Sequence, residues 1–138
     1  MTKQETKDEY KNAEGDPQIK ARIRQAQRQA SMQRMMEDIP NADVIITNPT
    51  HFSVALKYEA GVKGAPKLLA KGNDFVALKI REIAVFHNIP VVQSPVLARS
   101  IYQYTDIGEE IPTGLFQSVA QILAYVHQLK QSRLFGAK

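Results

Sequence analysis

The chain has 138 residues, 43% of them apolar, with a net charge of +4, enough for one modest globular domain. It has no cysteine, which excludes disulfides, thiolate nucleophiles and cysteine-held metals. Its three histidines, His51, His87 and His127, form no H-x-x-x-H pair, so no metal site is expected. No apolar run reaches the ~20 residues that span a bilayer, and no signal peptide is visible; the sequence reads as soluble and suited to a reducing, cytosolic compartment.

Residues 1–15 are polar, charged and aperiodic, and read as a flexible lead-in. Asp16-Pro17 then supplies a capping side chain and a proline at the first helical position, which predicts a linker helix over 16–38. Its apolar stripe is thin (Ile19, Ile23, Ala26, Ala30). Lys20, Arg22, Arg24, Arg28 and Arg34 lie between Pro17 and Met36 without a single acid. Beyond Met36 the charges nearly balance, so the basic character is local to this helix.

A globular part is predicted over 39–138. Residues 43–47 (DVIIT) read as a strand, with an apolar run too continuous for an edge exposed on both faces, and 52–58 alternate as a second strand. A Gly/Lys loop precedes a short strand at 67–71, which Gly72-Asn73 should end. Asn73 is then a cap for an apolar helix over 74–87, built on Val76, Leu78, Ile80, Ile83 and Ala84. A strand follows at 89–93, and Ser94-Pro95 opens a helix to about residue 104. Thr113 should cap a last helix with Leu115, Val119, Ile122, Val126 and Leu129 at helical spacing. The strand–helix–strand order over 67–93 implies a right-handed parallel unit. The fold class is therefore α/β: a small mixed or parallel sheet of about four strands wrapped by helices, after a long N-terminal helix.

Ordinary enzyme motifs are missing: there is no phosphate-binding glycine loop, no G-x-S-x-G and no H-E-x-x-H. Glu109-Glu110 reads as a solvated turn. His87 and His127 read as the late-helix cation or core-edge imidazole that such positions commonly hold. No cofactor is implied.

Attention falls on Asn48-Pro49-Thr50-His51, set between the first two strands. Asparagine usually ages through attack of the next backbone nitrogen on its side chain, but Pro49 has no N–H, and that route is closed. The reverse attack stays open. The Asn48 side-chain nitrogen can attack its own main-chain carbonyl, close a succinimide and expel the proline nitrogen. A carboxamide is a poor nucleophile, so the turn must hold a near-attack geometry. His51 can exchange protons near neutrality, and Thr50 can polarise the oxyanion or hold the turn. From these four residues alone, a plain turn and a self-cutting turn both stand.

Several stretches in order resemble the FlhB/YscU family, the specificity-switch proteins of type III secretion, and most of all its flagellar branch. They are EGDPQIKARIR at 14–24, RMMEDIPNADVIITNPTHFSVALKY at 34–58, APKLLAKG at 65–72, IREIAVFHNIPVV at 80–92, PVLARSIY at 95–102 and IPTGLFQSVAQILAYV at 111–126. The resemblance implies autocatalytic cleavage at the NPTH motif, with Asn48 and Pro49 flanking the cut and Thr50 and His51 assisting, in a single turnover and not as an enzyme. It implies a role in bacterial flagellum biogenesis and protein export, switching substrates from rod and hook proteins to filament-type proteins. Implied partners are the other membrane components of the export gate, a hook-length control protein and the export substrates, met through the Pro95, Leu97, Ala98 and Arg99 segment. The family carries an inner-membrane part ahead of this domain, which points to a truncated chain or a short paralogue at the cytoplasmic face. Lys20, Arg22, Arg24 and Arg28 would then be membrane-proximal, suited to an anionic lipid surface. One departure is Gln93-Ser94-Pro95-Val96, where flagellar relatives often have an acid and a second proline; this leaves the shape of a partner surface open. Two other readings compete: a non-cleaving docking module of the export gate, and a basic-helix adaptor for nucleic acid. The second lacks interleaved aromatics, so no nucleic acid is expected.

Overall fold

The computed structural model describes residues 15–49, 51–58 and 64–135, without the side chains of 132–135. The lead-in to residue 14, Thr50, and the 59–63 part of the Gly/Lys loop lie outside the described residues. The chain divides into two compact units at Arg34/Met35.

The first unit consists, in its described part, of most of helix α1, Pro17–Asp38. Asp16 caps it as expected: the Gln18 N–H donates to Asp16 Oδ1 at 2.8 Å. Lys20, Arg22, Arg24 and Arg28 are all exposed, and Ile23, from the thin apolar stripe, is exposed as well.

The second unit is built on a four-stranded mixed sheet in the order β3-β2-β1-β4. Strands β1 (Val44–Asn48) and β2 (Phe52–Lys57) form an antiparallel hairpin, β3 (Lys67–Asn73) pairs antiparallel with β2, and β4 (Val91–Gln93) runs parallel to β1. Helix α2 (Asp74–Phe86) links β3 to β4. Helix α3 (Pro95–Tyr104) follows β4, and a 3-10 turn (Thr113–Leu115) leads into α4 (Phe116–Phe135).

The sheet is covered on both faces, which is why β1 is apolar without alternation. On one side Val44, Ile46, Val54, Leu56 and Leu68 pack with Leu97, Ala98 and Ile101 of α3 and Val119 and Val126 of α4. On the other, Ile45, Ala55 and Ala70 pack with Ile80 and Ala84 of α2 and with Met35 and Ile39. Leu68 and Ala70 lie on opposite faces although two residues apart. The register explains this: Ala55 pairs with Ala70 and Leu56 with Leu68, so a bulge leaves Leu69 as the extra residue and inverts the alternation of β3.

Several local expectations need correction. The third strand does not stop before Gly72-Asn73: Gly72 pairs with Ser53 and Asn73 with Phe52. Gly72 sits in the strand because α2 crosses close above it; a Cβ there would stand 2.2 Å from Val76 Cγ1. Thr113 does not cap the last helix; it begins the 3-10 turn after Pro112, and the α-helix starts only at Phe116. Asn73 and Ser94 precede α2 and α3 as expected, but neither makes a side-chain capping bond. Strands β3 and β4 do run the same way, yet they occupy opposite edges, with β2 and β1 between them. Leu78, expected in the core, is exposed, as are Phe75, Val85 and Phe86 on α2; Leu129 on α4 is exposed too.

Candidate functional site

The site is built around the end of the β1–β2 hairpin. Val44 to Thr47 are buried and Asn48 is half-buried, so the strand delivers Asn48 to the surface from a rigid base. Asn48 pairs with Phe52, which leaves three residues, Pro49 to His51, for the connection. Within it the His51 N–H donates to the Asn48 carbonyl at 2.9 Å. This is the carbonyl that a cyclising Asn48 side chain would attack. The donor polarises the C=O and sits where negative charge would develop on its oxygen.

Behind the turn, Thr47 and Ser53 face each other across the hairpin, and both are buried. Thr47 Oγ1 donates to the Phe52 carbonyl at 3.0 Å, Ser53 Oγ donates to the Ala77 carbonyl at 3.0 Å, and the two hydroxyls are 3.2 Å apart. Both hydroxyl protons are directed at carbonyls in this arrangement, and the Ser53 bond ties the hairpin to α2. The Ser94 N–H also donates to the Thr47 carbonyl at 3.0 Å, so β1 is held from both flanks up to the residue before Asn48.

Helix α2 grips the turn itself. The Asp74 N–H donates to the His51 carbonyl at 3.0 Å, and Arg81 Nη1 donates to the Pro49 carbonyl at 2.8 Å. Asp74 has φ 46, in the left-handed region that Asp tolerates better than most residues, and this bend occurs where β3 turns into α2. On the other side, Phe52 stacks against Tyr102 of α3 with ring centroids 4.7 Å apart. Lys71 lies 5.2 Å from the Tyr102 ring centroid and donates to the carbonyls of Tyr102 and Thr105 at 3.0 and 2.8 Å.

Of the residues singled out from sequence, Asn48, Pro49 and His51 are brought together, the last two exposed; Thr50 lies outside the described residues. The role given to His51 needs enlarging, because its main-chain N–H also acts on the Asn48 carbonyl. Pro95 and Arg99 are exposed on α3, but Leu97 and Ala98 point into the core, at 7% and 0% exposure. Their side chains hold α3 to the sheet and cannot meet a partner while the domain stays folded. Sequence reasoning missed Arg81 and Asp74. Arg81 is 32 residues from Pro49, and only the packing of α2 on the hairpin joins them. Among the described residues no group of His, Asp and Glu could hold a metal ion. A groove of about 370 Å³, lined by Asp43, Tyr58, Leu123 and Val126 among others, lies at the opposite end of the hairpin from the turn.

These features define a class: a small α/β domain whose central buried strand ends in a clamped Asn-Pro turn. The chain belongs to the FlhB HrpN YscU SpaS family, whose model matches residues 1–126. It is 51% identical over 138 residues to the flagellar biosynthetic protein FlhB of Salmonella typhimurium, matching all of this chain and 36% of that protein. The chain thus spans about a third of the length of such curated relatives. It is also similar to the crystal structure of the cytoplasmic domain of FlhB from Shewanella putrefaciens, with TM-score 0.70, 52% identity and coverage of 74% of this chain and 78% of that one. A mutated EscU C-terminal domain matches with TM-score 0.63 at 33% identity, over 67% of this chain and 92% of that one. Among the described residues no helix is long and apolar enough to cross a membrane.

Proposed function

We propose that this chain is the cytoplasmic switch domain of a flagellar protein-export gate, and that it cuts itself once between Asn48 and Pro49. The observation that carries the reading is the Asn48 carbonyl, held by the His51 N–H at 2.9 Å and followed by a residue with no N–H of its own. In the reaction Asn48 Nδ2 attacks the Asn48 carbonyl carbon, forming a C–N bond and a five-membered ring. The Asn48–Pro49 bond then breaks, and the proton lost from Nδ2 ends on the proline nitrogen. The imidazole of His51 serves as proton carrier, and Thr50 is an assisting residue. The event is stoichiometric, one cut per molecule.

The fold supports a cut that leaves the domain standing, because β1 lies between β2 and β4 and is bonded to both. What the cut releases is the turn, and with it the surface offered to the other gate components, a hook-length control protein and rod- or hook-type substrates. The altered surface then favours filament-type substrates. This assignment draws on the relatives named flagellar biosynthetic proteins and on the family of export components. The basic face of α1 suits an anionic membrane surface near the gate.

Mass spectrometry of freshly made protein tests the reaction. Cyclisation consumes no water, so the masses of fragments 1–48 and 49–138 first sum to that of the intact chain, and one water is added only as the succinimide opens. Proteolysis adds that water at once. Asn48→Ala should remain whole. A wild-type chain uncut after prolonged incubation at neutral pH leaves the non-cleaving docking module as the better reading.

A further inference from the structure

The Asn48–Pro49 peptide has no N–H, so that peptide can be gripped only through a carbonyl. Two carbonyls flank the proline nitrogen: that of Asn48 is held by the His51 N–H within the turn, and that of Pro49 by Arg81 from α2 at 2.8 Å. The grip comes from a firm platform. Arg81 itself is half-buried, while its neighbours Ala77, Ile80 and Ala84 on α2 are buried against the sheet. The carbonyl of Ala77 also receives the Ser53 hydroxyl from the hairpin. A second bond from the same helix, Asp74 N–H to the His51 carbonyl, fixes the far end of the turn.

Resting on the reading that Asn48–Pro49 is the bond cut, we infer that Arg81 is a positioning residue for that cut: its guanidinium fixes the Pro49 carbonyl and thereby orients the nitrogen that leaves. Proline already fixes φ at that residue, so anchoring its carbonyl fixes the remaining soft torsion, ψ. With the Asn48 carbonyl also anchored, the leaving nitrogen lies between two held groups. Misplacing such a group by about 1 Å can cost on the order of 10²-fold in rate. A rigid planar donor does this better than the flexible ammonium of lysine.

The test times the cut in the full chain made by pulsed cell-free synthesis, following the fragments on denaturing gels for wild type, Arg81→Lys and Arg81→Gln. Thermal melting of each change in an Asn48→Ala background reports the fold separately. The expected order is wild type fastest, Arg81→Lys intermediate, and Arg81→Gln slower than wild type by about tenfold or more. Melting temperatures should stay close together, and added guanidinium ion should restore part of the Arg81→Gln rate. Equal rates for wild type and Arg81→Gln, with the wild type cutting, overturn this inference and leave the cleavage reading intact. So does a slowing that Arg81→Lys shares in full, that guanidinium does not relieve and that follows a fall in melting temperature. A wild-type chain that never cuts overturns both.

Discussion

The main-chain N–H of His51 donates to the carbonyl oxygen of Asn48 at 2.9 Å, across the turn that joins the two central strands. One residue thus offers two separable contributions, an amide donor on the carbonyl to be attacked and an imidazole for proton transfer. His51→Ala removes only the second. The cut should slow by about 10²-fold, within the usual range for a lost general acid or base, but should not stop. A time course of fragment formation checks this; an unchanged rate would assign the proton transfer to another group or to water.

The two fragments should stay together after the cut. Strand β1 belongs to residues 1–48 yet lies between two strands of 49–138, with Val44, Ile45 and Ile46 fully buried. Pulling it out would expose the core on both faces of the sheet. Native mass spectrometry of the cut protein should give one species with the mass of both pieces, and denaturant should separate them.

Gly72 lies where α2 passes close to the sheet. A methyl group there would lie 2.2 Å from Val76 Cγ1 and 2.8 Å from Val76 Cβ, so Gly72→Ala must push the start of α2 away. Overpacking of this kind costs roughly 1–3 kcal/mol. Urea unfolding in an Asn48→Ala background should show that loss. Since α2 also grips the turn, the same change should slow the cut in the native sequence.

Lys71 gives a contrast between two kinds of polar contact. Its ammonium is 3.8 Å from Asp106, whose side chain is 84% exposed, and it also donates to the carbonyls of Tyr102 and Thr105 at the end of α3. The exposed ion pair should matter little, so Asp106→Asn is expected to change stability by no more than about 0.5 kcal/mol. Lys71→Met leaves two helix-end carbonyls without that donor and should cost roughly 1–3 kcal/mol. Paired urea curves decide which contact holds α3.

The cations of α1 should act as a group on lipid. Replacing Lys20, Arg22, Arg24 and Arg28 by Gln removes four exposed charges, each worth about 1 kcal/mol at an anionic surface. Sedimentation with vesicles containing phosphatidylserine should show partitioning reduced by about 10²- to 10³-fold at low salt. Raising the salt should erase most of the difference.

Much of this architecture is written locally. The run from Val44 to Thr47, the capping Asp16, and Ser94-Pro95 before α3 set element types through the chemistry of adjacent residues, and the structure follows them. Asn48-Pro49 is likewise legible without a fold, because the absence of an N–H at Pro49 is a covalent fact that closes one reaction and leaves another. The tertiary structure decided what depends on contacts between distant segments. The bulge at Leu69 inverts the facing of β3, Gly72 admits α2, Leu97 and Ala98 turn inward, and Arg81 reaches a carbonyl 32 residues away. No local propensity encodes these, since each arises only when α2 and α3 are packed against opposite faces of one sheet.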